Sequence, residues 1–179
     1  MLSKTHKLFS RAKILQVAGN HDSIPEMVKA KNEFERKTKR KDRVFCTTIM
    51  ATDYIFEDKQ NKNIYVMLNT QKIGKDGRPL EGGNLSSKQV QWFEKQITYA
   101  RSKSLTPLVF MHHPCLNEKE TALFFTETIA KRDGRDEFFE NPEIFLKLIE
   151  NIQVFVGHYH QSLPVNSRKL TYIPSVAKT

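Results

Sequence analysis

The ten residues "TPLVFMHHPC", Thr106 to Cys115, decide how this chain is read. A short apolar run entered through Thr-Pro is what a buried strand needs, yet this one ends in two imidazoles, His112 and His113, instead of an ordinary turn. The pattern recurs in "IQVFVGHYHQ", Ile152 to Gln161, with His158 and His160, and in "KILQVAGNHDS", Lys13 to Ser23, with Asn20, His21 and Asp22. Of the six histidines, five follow one of these three runs directly and only His6 lies elsewhere. In an open sheet with helical crossovers, ligand and catalytic groups gather outside the carboxyl ends of the strands, where loops turn side chains toward a common crevice. Three imidazole-bearing strand ends therefore read as one site on an α/β fold.

The segments between these runs fit that architecture. "SIPE", Ser23 to Glu26, is a capping box that predicts a helix running into the basic stretch beyond it. "RVFCTTIM", "DYIFED" and "NIYVMLNTQ" read as strands, the last two joined through "KQNK" as a hairpin, and the Gly-rich, charged "KIGKDGRPLEGGN" reads as a surface loop. "LSSKQVQWFEKQITYARSK" opens with a second capping box, Ser86 to Gln89, and sets Val90, Phe93, Ile97 and Ala100 along one helical stripe. "ETALFFTETIAKR" predicts a helix and "DGRD" a turn. "NPEIFLKLIEN" predicts a helix capped by Asn141 with Pro142 in its first turn, and "KLTYIP" one more strand. No internal repeat or domain linker interrupts the series, so residues 1–179 read as a single domain.

Composition narrows the partners. At 179 residues and 39% apolar content the chain can build a real core. No run approaches the roughly 18 apolar residues of a membrane span, and "MLSKTHKLFSRAK" lacks the apolar stretch of a secretory signal, so no membrane association is expected. Cys46 and Cys115 make no disulfide framework, which points to a reducing, cytoplasmic setting. The formal charge is +9, and "KAKNEFERKTKRKDR", Lys29 to Arg43, holds eight basic and three acidic residues. With one aromatic, Phe34, and no nucleic-acid reader motif, this stripe reads as a solvated helix face rather than as a nucleic-acid surface. It would also draw in an anionic, phosphorylated substrate.

Neutral imidazole and amide oxygen are ligands for Mn, Fe or Zn, and His-x-His places two nitrogens close together with differing directions. Asn20, His112, His158 and His160 are thus candidate metal ligands. His21 followed by Asp22 suggests another role, because a carboxylate beside an imidazole fixes its tautomer and raises its basicity, as suits a group that protonates a leaving oxygen. Asp22 can equally close the turn after Gly19 or cap the helix. Cys115 reads as a small buried filler, and a closed zinc site is disfavoured because cysteine ligands are lacking.

These blocks resemble a known family. "GNHD" at Gly19 to Asp22, "MHHP" at Met111 to Pro114 and "GHYH" at Gly157 to His160, in that order and each after a strand, look like the last three blocks of the calcineurin-like metallophosphoesterases. "LSSKQVQWFEKQI" before the second block is similar to the phosphodiesterases of that family. The resemblance implies an α/β/β/α sandwich with mixed sheets and hydrolysis of phosphomonoesters or phosphodiesters, small molecules or nucleotides among them. Two divalent ions, Mn, Fe or Zn, about 3.5 to 4 Å apart, would share the attacking hydroxide. By motif, Asn20, His112 and His158 would ligate one ion and His160 the other. His21, steadied by Asp22, would act as the acid, and His113 would give structural support.

One departure bears on all of this. The family begins with Asp-x-His and Gly-Asp-x-x-Asp, which supply the remaining ligands and the bridging carboxylate, and neither block occurs in this sequence. About twenty residues precede "GNHD", so the chain reads as the C-terminal part of such a domain with its first strands missing and one metal position depleted. The competing expectation is a non-catalytic module that keeps the fold and holds a phosphorylated partner or RNA through its basic surface.

Overall fold

A computed structural model describes residues 15, 17–20, 22, 25, 26, 29, 44, 45, 53–116, 139, 142–158 and 170–172; for 44, 45 and 170–172 it describes the backbone. Eight strands and two helices are defined there: β1 (Val44–Phe45), β2 (Tyr54–Asp58), β3 (Asn63–Leu68), β4 (Gln71–Ile73), β5 (Pro79–Gly83), α1 (Ser87–Ser102), β6 (Thr106–Met111), α2 (Pro142–Ile149), β7 (Gln153–Val156) and β8 (Leu170–Tyr172). Six strands form one mixed sheet in the order β1-β2-β3-β6-β7-β8, and β4 and β5 form a separate ribbon. This is the α/β architecture expected.

The sheet is antiparallel from β1 to β3 and parallel from β3 to β8. A parallel neighbour requires a crossover, and α1 supplies the one from β3 to β6. The α1 capping box forms as its sequence predicts: Ser86 Oγ accepts from the Gln89 amide, and Gln89 Oε1 accepts from the Ser86 amide at 3.0 Å. The buried stripe of α1 is Gln89, Phe93, Ile97 and Ala100, with Val90 only partly covered.

The two faces of the sheet carry different side chains. Ile55, Ile64, Val66, Leu68, Val109, Met111, Val154 and Val156 pack with Phe93 and Ile97 of α1 and with Phe145 and Ile149 of α2, and the Phe93 and Phe145 rings meet at 5.1 Å. The other face bears an aromatic row, Phe56, Tyr65, Phe110 and Phe155, with successive ring centroids 6.0, 6.1 and 4.5 Å apart. Strands apolar on both faces are what a covered parallel sheet requires, and they explain why "PLVFM" and "QVFV" are unbroken runs.

Two expectations are corrected. Among the described residues of "KILQVA", Leu15, Val17 and Ala18 lie in no strand, because an apolar residue joins a strand only where a neighbour offers its backbone. "KIGKDGRPLEGGN" is not a loop but the β4-β5 hairpin, closed by Gly74 N–H to Arg78 O at 2.8 Å and irregular in register between Gln71 and Ile73. The expected helix after Ser23 is present at Pro25, Glu26 and Lys29. Most of the basic stretch, "ETALFFTETIAKR" and "DGRD" lie outside the described residues. Among those described, no helix is long and apolar enough to cross a membrane.

Candidate metal centre

The parallel strands β3, β6 and β7 end side by side, and their carboxyl ends deliver the polar groups. Beyond Met111, which is buried in the core, His112 is half-buried and His113 fully buried. Beyond Val156, the Gly157 amide donates to the His112 carbonyl at 2.9 Å, tying the two strand ends together. His158 then adopts φ 76°, a left-handed conformation that costs a side-chain-bearing residue about 1 kcal/mol or more. The turn sets His158 Nδ1 3.2 Å from His112 Nε2.

The "GNHD" segment reaches the same nitrogen from outside the sheet. Gly19 and Asp22 close a turn twice over: the Asp22 amide donates to the Gly19 carbonyl at 3.0 Å, and the Gly19 amide donates to Asp22 Oδ2 at 2.8 Å. A Cβ on Gly19 would lie 2.9 Å from His112 Cε1, so glycine lets the turn rest against the imidazole. Asn20, buried in consequence, places Oδ1 2.9 Å from His112 Nε2 and donates through Nδ2 to Glu81 Oε2 at 2.6 Å.

His113 completes a cluster of three rings. Its centroid is 4.8 Å from that of His112 and 4.7 Å from that of His158, and those two are 5.1 Å apart. One nitrogen from each of His112, His113 and His158 lies within 4.8 Å of the others, a grouping that could hold a metal ion. His113 Nδ1 is 2.8 Å from Thr70 Oγ1, which also accepts from the His113 amide, and Nε2 is buried without a hydrogen-bond partner. Burial pushes the His113 pKa down to about 3. The neighbouring His158 and His112 add to that shift, and the Glu81 backbone, outside hydrogen-bond geometry, opposes it weakly. The ring is therefore neutral at physiological pH.

Two features fit this donor set to a cation. Asn20 Oδ1 and His158 Nδ1 both converge on His112 Nε2, and a single hydrogen on that edge serves one of the two pairs, not both. A divalent ion of the Mn, Fe or Zn kind would satisfy all three lone pairs. His113 offers the second feature: Nδ1 pairs with the Thr70 hydroxyl and Nε2 has no hydrogen-bond partner, so the tautomer with its hydrogen on Nδ1 would have the arrangement typical of a metal-binding imidazole.

Of the residues singled out from sequence, Asn20, His112 and His158 are brought together, whereas His21 and His160 lie outside the described residues. Asp22 is exposed and turns one carboxylate oxygen to the Gly19 amide, the turn-closing role. Sequence reading missed the hairpin's part in the site. Gln71 Nε2 donates to the Asp22 carbonyl at 2.7 Å and to the Gly19 carbonyl, and Glu81 holds Asn20. The available signal was the Gly-Gly after Glu81, since a Cβ on Gly83 would lie 2.5 Å from that of His113. No protein-family model matches this chain, and comparison with curated proteins finds no match either.

Proposed function

We propose that this chain is a metal-dependent phosphoesterase domain of the calcineurin-like kind, with its site at the carboxyl ends of β6 and β7. The observation that carries the reading is the meeting of Asn20 Oδ1, His112 Nε2 and His158 Nδ1 within 2.9 and 3.2 Å, one residue from each of the three blocks. The parallel run from β3 to β8 beneath them is compatible with one layer of an α/β/β/α sandwich. Asn20, His112 and His158 would hold one ion and His160 would contribute to a second. Bound metal supplies Lewis acidity toward the phosphoryl oxygens and lowers the pKa of water. His21, next to Asn20 in the sequence, would protonate the leaving oxygen, and the +9 charge favours arrival of a phosphate anion.

Lacking the bridging carboxylate of Gly-Asp-x-x-Asp, the chain is expected to turn over slowly. The same lack favours a second reading, a module that binds a phosphorylated partner or RNA without catalysis. Hydrolysis of an aryl phosphodiester and an aryl phosphomonoester with added Mn, run beside His21→Ala and His112→Ala, separates the two. The enzyme reading expects Mn-dependent turnover that falls by roughly a hundredfold or more in either variant. Phosphate binding by folded, Mn-loaded chain with no turnover would overturn it in favour of the module.

A further inference from the structure

We propose that Glu81 is a positioning residue of the metal centre, dictating which end of the Asn20 amide faces the metal. The proposal rests on the metal-binding part of the reading above. An asparagine amide has a donor end and an acceptor end of nearly equal size, and only the oxygen can ligate a cation. Packing cannot choose between them; a hydrogen-bond partner can. An ionised carboxylate only accepts, so the 2.6 Å contact from Asn20 to Glu81 Oε2 compels the NH2 end to point at Glu81. The Oδ1 end is thereby turned to His112 Nε2, 2.9 Å away. A flip would set NH2 against the imidazole edge and the amide oxygen against the carboxylate, losing both interactions.

The hairpin supports this from two sides. Gln71 on β4 holds the backbone of the Asn20 turn through the Asp22 and Gly19 carbonyls, and Glu81 on β5 holds its side chain. Backbone position and amide orientation are thus fixed by one ribbon whose strands pair Gln71 with Gly83.

Titration of the metal-free chain with Co2+, followed by visible absorption and calorimetry, tests the assignment. Glu81→Ala should weaken Co2+ binding about 10- to 100-fold, the usual effect of removing a group that orients a ligand, and should alter the absorption bands. Its metal-free melting temperature should stay near that of the parent, because Glu81 lies on an exposed part of the hairpin. Glu81→Gln, which keeps an acceptor but can also present NH2, should fall between the two. The sharpest arm uses Asn20→Asp: its two oxygens are equivalent and need no orienting, so in that background Glu81→Ala should no longer weaken binding. Equal Co2+ affinity and spectrum in the parent and Glu81→Ala would overturn the role of Glu81 and leave the metal site standing. So would an equal loss from Glu81→Ala in the parent and in the Asn20→Asp background, since it would mean that Glu81 does not act through the amide. Failure of the parent chain itself to bind Co2+ would overturn the metal reading, and Glu81 with it.

Discussion

His113 shows how a single position can be both packed and poised. Its ring is fully buried, one nitrogen is committed to Thr70, and the other has neither partner nor water-facing surface. Thr70→Val keeps the shape and removes the oxygen. Melting should report a loss of about 1 to 2 kcal/mol, and metal affinity should fall, since the tautomer is no longer fixed. Gly83→Ala tests the same ring from behind. With backbone-borne Cβ atoms 2.5 Å apart, hairpin or imidazole must shift, and a cost of about 1 to 3 kcal/mol is expected in denaturant titrations. What the sequence made legible at this scale was chemistry: apolar runs that stop at imidazoles announce a site, and Asn20, His112 and His158 do meet. What it could not convey was the partner of each nitrogen. Thr70 lies 43 residues from His113, Gln71 lies 49 from Asp22 and Glu81 lies 61 from Asn20, and no periodicity links them.

At the level of elements, the start of α1 is joined to β2 and β3 through a buried carboxylate. Asp53, just before β2, accepts from the Asn69 amide at 2.6 Å and from Gln89 Nε2 at 3.0 Å, while Gln89 also donates to the Asn69 carbonyl and closes the capping box. Burial lifts the Asp53 pKa to about 6, against the pull of those two hydrogen bonds. The folded chain then holds a proton that the unfolded chain releases near 3.8. Stability contributed by this group is present below that value, declines as pH rises to about 6, and is flat above, with an amplitude of order 3 kcal/mol. His113 works in the opposite sense, its lowered pKa making stability rise with pH between about 3 and 6.5. The Asp53 share is therefore read as the difference between parent and Asp53→Asn melting curves from pH 4 to 7, and the parent should lose ground to the variant as pH increases. The elements themselves were unequally legible. The α1 capping box and the stripe of Phe93, Ile97 and Ala100 are local signals and formed as expected. The β4-β5 hairpin has only Ile73 and Leu80 as large apolar residues, both exposed, so its strands leave no alternating pattern and read as loop. Leu15, Val17 and Ala18 erred the other way, since apolar residues advertise a strand whether or not a neighbour pairs with them.

For the whole molecule, a ligand that binds only the folded chain must stabilise it. At a free metal concentration 100 times the dissociation constant, the gain is about 2.7 kcal/mol, or a rise in melting temperature of roughly 5 to 10 °C for a domain of this size, reversed by EDTA. His112→Ala should abolish that rise while leaving the metal-free melting temperature within a few degrees of the parent. The geometry of the centre also bears on how the chain reaches its fold. Its contacts join residues separated by 46, 61 and 92 positions, and every one must close a long loop before it returns any energy. The α1 helix and the β2-β3 hairpin can form from neighbouring residues, but the three imidazole and amide donors meet only after β3, β6 and β7 have docked in order. An ion would thus arrive at a finished sheet rather than organise a nascent one, so its capture would mark the last step of folding and should slow unfolding without speeding the collapse that precedes it.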